Sequence, residues 1–320
     1  MNPLRLARIL SGRGVIGINR RNSDYTLRWN PRRLYPLVDD KLATKRLCEQ
    51  AGIPVPKLLA VARHHFELRG LAASVSSLPS FALKPARGAM GNGILVVTSR
   101  DGDRLLRPGG RWLRMPDLLY HAAGIISGLY SLSGRPDAAM VEEKLSVHPA
   151  FAEIASDGVP DVRVILFRGV PVMAMTRLPT RASGGRANLH QGAIGAGVDL
   201  RTGRVAHAIL RNQPLRKHPD TAQPLVGREV PDFGRVLEIA LAAADQTGLG
   251  YVGADVVVDA VRGPLVLELN ARPGLAVQVA NRAGLLPRLE AVERELRPGL
   301  SLFERVALGQ RIAARAGTLP

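Results

Sequence analysis

The sequence predicts an α+β fold made of antiparallel hairpins with helices set between them. Short apolar or β-branched runs come in pairs around glycine turns, and amphipathic helical segments interrupt them. Strand and helix do not alternate regularly, which disfavours a doubly wound nucleotide fold. At 320 residues and 34.4 kDa the chain can bury one large core or two to three subdomains. With 46% hydrophobic and 22% charged residues, wholesale disorder is excluded.

The first thirty-odd residues are basic and irregular, with Gly12, Gly14 and Gly17 close together and the pairs Arg20-Arg21 and Arg32-Arg33 beyond. They read as an arm. From Leu37 a helix is expected: Asp39 and Asp40 suit its N-terminus, Leu42 and Leu47 its apolar stripe, and Gly52 and Pro54 its stop. Phe81 to Lys84 and Ile94 to Thr98 read as strands around the loop Arg87-Gly88-Ala89-Met90-Gly91-Asn92-Gly93, followed by a helix from Pro116 to Ser131 and a strand from Ala138 to Leu145. Asp161 to Phe167 and Val172 to Thr176 form a hairpin through Arg168-Gly169, and Gly192 to Val198 and Arg204 to Leu210 another around Gly203. Asp232 to Gln246 is the clearest helix; Tyr251 to Val258 and Leu265 to Leu269 are strands around Arg262-Gly263-Pro264, and helices close the chain.

The net charge is +17, yet only Lys41, Lys45, Lys57, Lys84, Lys144 and Lys217 are lysines, so arginine supplies nearly all of the basic residues. They are scattered rather than gathered in a tract with aromatics, and the excess fits a GC-rich coding bias as well as an anionic partner. The single cysteine, Cys48, excludes a disulfide framework and a cysteine-rich zinc module, and is expected to pack in its helix. Neither a signal peptide nor a membrane span is expected, and the lack of a disulfide framework makes the cytoplasm the expected compartment.

Carboxylates on the last two strands suggest chemistry. Side chains alternate along a strand, so Glu268 and Asn270 share a face, and the hairpin can bring Asp255 opposite them. Three oxygen donors among apolar residues suit Mg²⁺ holding phosphate oxygens; the alternative is a solvent-facing strand side that needs no partner. Gly88, Gly91 and Gly93 let backbone approach phosphate, and Lys84 in the preceding strand can reach an anion; the alternative is a glycine-rich hairpin with a snorkelling lysine. The loop is not a Walker A motif, since no Gly-Lys-Ser/Thr follows. His64, His65 and His121 lack zinc spacing.

In chain order come Asp39-Asp40-Lys41, Ala51-Gly52-Ile53-Pro54-Val55-Pro56, Leu83-Lys84-Pro85 with the glycine loop, and Val141-Glu142-Glu143-Lys144. They are followed by Asp161-Val162-Arg163-Val164, Arg186-Ala187-Asn188-Leu189-His190-Gln191-Gly192, Gly253-Ala254-Asp255 and Glu268-Leu269-Asn270-Ala271-Arg272-Pro273-Gly274-Leu275. This series, over Asp39 to Asn281, resembles the ATP-grasp superfamily in the branch of the ribosomal-protein glutamate ligase and the alpha-L-glutamate ligase-like proteins. The sugar-transfer-associated ATP-grasp proteins are a related family.

The resemblance implies an ATP-grasp fold, two α+β subdomains clasping ATP. Residues 1–35 would be a basic arm, 36–145 the N-terminal subdomain with a glycine-rich flap, 146–298 the C-terminal subdomain with the metal strands, and 299–320 a helical tail. Lys84 would contact ATP phosphates, with Lys41 at the site entrance and Gly88, Gly91 and Gly93 in the flap. Glu142 and Glu143 match the segment that receives adenine, Asp161 a ribose or nucleotide contact, and Arg186 and Asn188 the nucleotide-binding Asn-Leu-His segment; His190 lies in the same match. Asp255, Glu268 and Asn270 match the ligands of Mg²⁺, or of Mn²⁺ in its place. Arg163 and Arg272 are the candidates for stabilising the transferred phosphoryl group or the acyl-phosphate.

The implied reaction is a carboxylate–amine ligation: ATP converts a carboxylate to an acyl-phosphate, and an amine displaces phosphate. Glutamate or another amino acid would be added to a peptide or protein. Members of the glutamate ligase branch carry a full α/β domain ahead of this core, and here only a short basic segment precedes Pro36. Arg272 replaces a small residue of that branch's pattern and favours an acidic substrate, although a salt bridge to a metal ligand is the other role open to it. A kinase acting on a small molecule is an alternative on the same fold. A nucleic-acid-binding protein would explain the charge but leave the acid trio and flap unexplained, so nucleic acid is disfavoured as a partner. Oligomerisation is open.

Overall fold

The computed structural model describes residues 2–88, 91–131, 134–156 and 158–316. Residues 89 and 90 of the expected flap and 317–320 of the expected tail lie outside them. The chain divides into a larger unit, Met1–Asp39, Ala43–Val55 and Val147–Pro320, and a smaller one, Asp40–Leu42 and Pro56–Ser146.

The N-terminal segment differs from an irregular arm. It forms helix α1 (Pro3–Gly12), then α2 (Ile18–Arg20) running into a π-helical stretch Arg21–Leu27, and α3 (Pro36–Asp39). Ile16 and Tyr25 are buried in the larger unit, where the Tyr25 ring meets Phe167 edge-on at 5.4 Å. The Asn30 side chain donates to the carbonyls of Tyr251 and Ala271 at 2.7 and 2.8 Å and accepts from the Tyr251 amide at 2.9 Å. A single side chain thus satisfies three backbone groups that solvent would otherwise have to reach. These anchors were hidden because they recur with no helical or strand period among exposed arginines. Helix α4 (Lys41–Gln50) begins where Asp40 Oδ1 accepts the Leu42 amide at 2.9 Å and stops at Gly52, whose φ of +67° suits glycine.

The smaller unit contains β1 (Leu58–Ala62), α5 (Leu68–Val75), β2 (Phe81–Pro85), β3 (Leu95–Val97), β4 (Ser99–Asp101), β5 (Arg104–Leu106), β6 (Trp112–Arg114), α6 (Met115–Ile126) and β7 (Ala139–Glu142). One antiparallel sheet has the order β1-β7-β2-β3, and Phe81, Leu83 and Val141 pack with Leu71 of α5 and Leu118 and Ile125 of α6. A second sheet, β4-β5-β6, was not foreseen: its three-residue strands are rich in arginine and expose one face, so no hydrophobic run marks them.

In the larger unit β8 (Asp161–Phe167), β9 (Val170–Leu178), β10 (Ile194–Val198), β11 (Val205–Leu210) and β12 (Gln213–Leu215) are followed by α7 (Phe233–Asp245), β13 (Tyr251–Asp259) and β14 (Gly263–Asn270). Helices α8 (Ala276–Asn281), α9 (Leu286–Glu295) and α10 (Leu302–Ala316) close the chain as expected. The sheet order is β12-β11-β10-β9-β8-β13-β14, antiparallel throughout. Alternation along the strands sorts the residues: Val162, Val164, Ala254 and Val256 pack in the cluster of α7, whereas Ile165, Phe167, Met173 and Tyr251 pack with residues of α8, α9, α10 and the N-terminal segment. Among the described residues no helix is long and apolar enough to cross a membrane.

Two outcomes follow from this packing. A Cβ at Gly309 of α10 would lie 2.1 Å from the Pro171 carbonyl oxygen, so Gly309→Ala should lower stability by about 1–3 kcal/mol in urea unfolding. Burial pushes the Cys48 thiol up to about 11, so iodoacetamide at pH 8 should leave the native protein unmodified and alkylate it after unfolding.

Candidate functional site

In the larger unit, period two puts Asp161 and Arg163 on one face of β8. The register sets Arg177 opposite Asp161, Asp255 opposite Arg163 and Glu268 opposite Asp255, with Asn270 opposite Gly253 on the same face. That face is apolar at Ile165 and Phe167 and charged two residues earlier, so one sheet surface carries both core and site.

The charges are locked together. Arg163 donates Nε and Nη2 to the two oxygens of Asp255 at 2.7 and 2.6 Å. Arg177 grips both oxygens of Asp161 and also donates Nη2 to Asp255 Oδ2 at 2.7 Å. Asp255 is 1% exposed and Asp161 5%. Burial would raise the Asp255 carboxyl, but Arg163 and Arg177 outweigh it and hold the group well below the usual carboxylate range. Burial pushes Asp161 up to about 6 against the pull of Arg177, and the charge of Asp255 adds to the rise. Burial disfavours the cation of Arg177, yet the two aspartates raise its pKa and keep it charged.

Sequence reading did not single out Arg177. The expected strand stopped at Thr176, one residue short of Arg177, and the hairpin through Arg168-Gly169 would by itself set Thr176 opposite Asp161; the bulge between Ile165 and Leu166 puts Arg177 there instead. Arg163, expected as a phosphoryl-stabilising group, is bound to Asp255 through two of its nitrogens.

Asp255, Glu268 and Asn270 are brought together as the strand argument required. Asn270 Nδ2 donates to Glu268 Oε1 at 3.3 Å, and Glu268 is close enough to Asp255 to share a hydrogen bond with it. Two carboxylates in contact require a proton or a cation, and the donors are all oxygen, which fits a hard divalent ion. The arginines take three of the roughly four acceptor positions of Asp255. Partly exposed Glu268 and Asn270 therefore offer the larger share of the donor set. Among the described residues no three His, Cys, Asp or Glu side chains form a metal-holding group, in keeping with a set that has only two acids.

The other predicted residues of this unit lie on loops. Exposed Arg186 is in a turn in which its amide donates to the Ser183 carbonyl, and the Asn188 side chain accepts the His190 amide at 2.9 Å. Arg272, after β14, is exposed with its guanidinium 5.3 Å from the centre of the Tyr35 ring.

In the smaller unit Lys84 on β2 forms an ion pair with Glu142 on β7; both side chains are nearly buried. Glu143 accepts the Lys57 amide at 2.6 Å and its own amide donates to the Lys57 carbonyl. The flap is tied at both ends: Lys41 Nζ donates to the Gly88 carbonyl at 2.7 Å, and His121 Nε2 donates to that of Gly93 at 2.8 Å. Gly91 and Gly93 have φ near +75°, and a Cβ on Gly93 would strike the Tyr130 ring.

Arg177→Met would leave Asp161 and part of Asp255 buried without their cation and should cost about 3–5 kcal/mol in denaturant unfolding, with Arg177→Lys recovering part of it. Equal stability of Arg177→Met and the parent would show the bridge to be energetically idle.

Two solved structures illustrate the likeness to known proteins. The ATP-grasp ligase PsnB complexed with minimal precursor is 20% identical with a TM-score of 0.42, covering 87% of this chain and 64% of that one. The D-cycloserine synthetase DcsG is 15% identical with a TM-score of 0.40, covering 90% and 73%. The chain thus spans about 64% of the length of PsnB. No curated protein matches it. The family model that matches, over residues 20–294, is that of the sugar-transfer-associated ATP-grasp proteins, one of the related families the motifs resemble, and the chain belongs to that family.

Proposed function

We propose that the protein is an ATP-dependent carboxylate–amine ligase that joins an amino acid to a peptide or protein and releases ADP and phosphate. The observation that carries this reading is the acid pair Asp255 and Glu268, opposite one another beside Arg163 and Arg177, in a chain of the ATP-grasp family. Glu268 and Asn270, with the remaining acceptor position of Asp255, would hold Mg²⁺. When bound, ATP supplies the phosphoryl group and Mg²⁺ neutralises phosphate oxygens.

The chain's own residues position and neutralise. Lys84, held by Glu142, is assigned to ATP phosphates, as are the backbone amides of the glycine segment. The backbone around Glu142 and Glu143 is assigned to adenine, and the loop carrying Arg186 and Asn188 to the nucleotide. Asp161, with both oxygens on Arg177, acts on the site through that arginine. Arg163 binds Asp255 through Nε and Nη2, and its Nη1 can donate to an anion beside Asp255. A substrate carboxylate oxygen attacks the terminal phosphorus and ADP leaves. The amine then attacks the acyl carbon, loses its proton to solvent or a base, and phosphate departs with the former carboxylate oxygen.

The test is Mg²⁺-dependent turnover of ATP against amino acids and acidic peptides, with mass spectrometry of the products. A product heavier than the acceptor by an amino acid less water, formed with ADP and phosphate, is expected; Glu268→Gln should reduce it by at least 100-fold with the fold intact. A phosphorylated product without an amide would replace the ligase with a kinase.

A further inference from the structure

Helix α1 is tied to the larger unit through the residues that follow it. The Leu286 amide donates to the Gly14 carbonyl at 3.0 Å, and the Gln278 side chain accepts the Ile16 amide and donates to the Ile16 carbonyl, both at 3.0 Å. A Cβ on Gly284 would lie 2.3 Å from the Gly14 carbonyl carbon, so the two backbones touch there. Ahead of that anchor the contacts stop: Arg5 and every residue from Ala7 to Arg13 are exposed, and a Cβ on Gly12 would meet nothing within 4 Å. A ten-residue helix that packs no face is marginal in water, because most helical stability in proteins comes from burying one.

The exposed side chains are of two kinds. Ile9 and Leu10 are each 38% exposed, and in the helical stretch beyond the anchor Ile18 and Leu27 are 63% and 60% exposed. Among them, the first 23 residues hold five arginines and no acid. Arg20 is engaged by Asp24, and Arg21 is buried. Arg5, Arg8 and Arg13 are exposed and have no ion pair among the described residues. Aliphatic side chains interleaved with unpaired cations complement a surface that is negatively charged outside and apolar beneath. Nucleic acid would engage the arginines and leave the four aliphatic residues in water. A second copy of the segment would set arginine against arginine.

We propose that α1, with Ile18 and Leu27 behind it, docks the protein on an anionic phospholipid bilayer. The helix is about 15 Å long, half the thickness of a hydrocarbon core, so it lies in the headgroup plane and does not cross. Ile9 and Leu10 enter the acyl boundary while Arg5, Arg8 and Arg13 reach lipid phosphates along their aliphatic stems. This peripheral attachment is independent of the ligase reading.

The test is co-sedimentation of the full chain with vesicles of phosphatidylcholine alone and of phosphatidylcholine mixed with phosphatidylglycerol, at low salt and in about 1 M NaCl. The protein should bind the anionic vesicles at least tenfold more tightly than the neutral ones, and the high salt should weaken that binding at least tenfold. Ile9→Ser with Leu10→Ser, and separately Arg5→Gln with Arg8→Gln, should each weaken it at least tenfold. All four side chains are exposed, so the midpoint of urea unfolding should match that of the parent in both variants. Cys48 is buried, so an environment-sensitive fluorophore can be placed on Ser11→Cys alone, and its emission should shift to the blue on anionic vesicles. The proposal is overturned if anionic vesicles are not bound, if neutral vesicles are bound as tightly, or if Ile9→Ser with Leu10→Ser binds like the parent. It is overturned in favour of nucleic acid if a single-stranded oligonucleotide binds more tightly than the anionic vesicles. It is overturned in favour of self-association if light scattering shows a dimer that Ile9→Ser with Leu10→Ser converts to a monomer.

Discussion

Arg177 reaches two buried carboxylates at once, and the arrangement of the charged sheet face follows from that reach. Its grip on Asp161 and Asp255 joins β8, β9 and β13, and Arg163 completes a set of two aspartates and two arginines. Those four formal charges cancel, so they can be buried together in the sheet. Glu268, opposite Asp255 and partly exposed, adds a further carboxylate to the same face. The oxygens of Asp255 are held in fixed orientation by the guanidiniums of Arg163 and Arg177.

The fold was legible wherever burial leaves a period. Strands β8, β10, β13 and β14 and helix α7 lie within a few residues of their expected bounds, because each buries a face with a spacing of 2 or 3.6. That Glu268 and Asn270 share a face and that Gly263 marks the turn were legible too, whereas the register that sets Asp255 opposite Glu268 depends on a bulge between Asp255 and Val256. Arg177 was not, because the bulge between Ile165 and Leu166 shifts the pairing and the last residues of β9 look like the start of a loop. Ile16, Tyr25 and Asn30 escaped notice for a different reason: they are tertiary anchors of an irregular segment, and no local period announces them.

The smaller unit shows how local cues and tertiary contacts divide the work. The glycines of the flap were evident in sequence, and the positive φ of Gly91 and Gly93 accounts for two of them. The ties that hold the flap, Lys41 on Gly88 and His121 on Gly93, join residues 47 and 28 positions apart and could not be read from spacing. Lys84 was singled out as a lysine among apolar neighbours; its ion pair with Glu142 explains how the ammonium is tolerated there. The N-terminal segment, meanwhile, packs into the larger unit through Ile16, Tyr25 and Asn30.

The central claim is that a carboxylate is activated as an acyl-phosphate, and oxygen transfer tests it most directly. A substrate labelled with ¹⁸O in its carboxylate, incubated with amine, ATP and Mg²⁺, should pass one labelled oxygen to inorganic phosphate as the amide forms. Retention of both labels in the carboxylate while ADP is produced would contradict it.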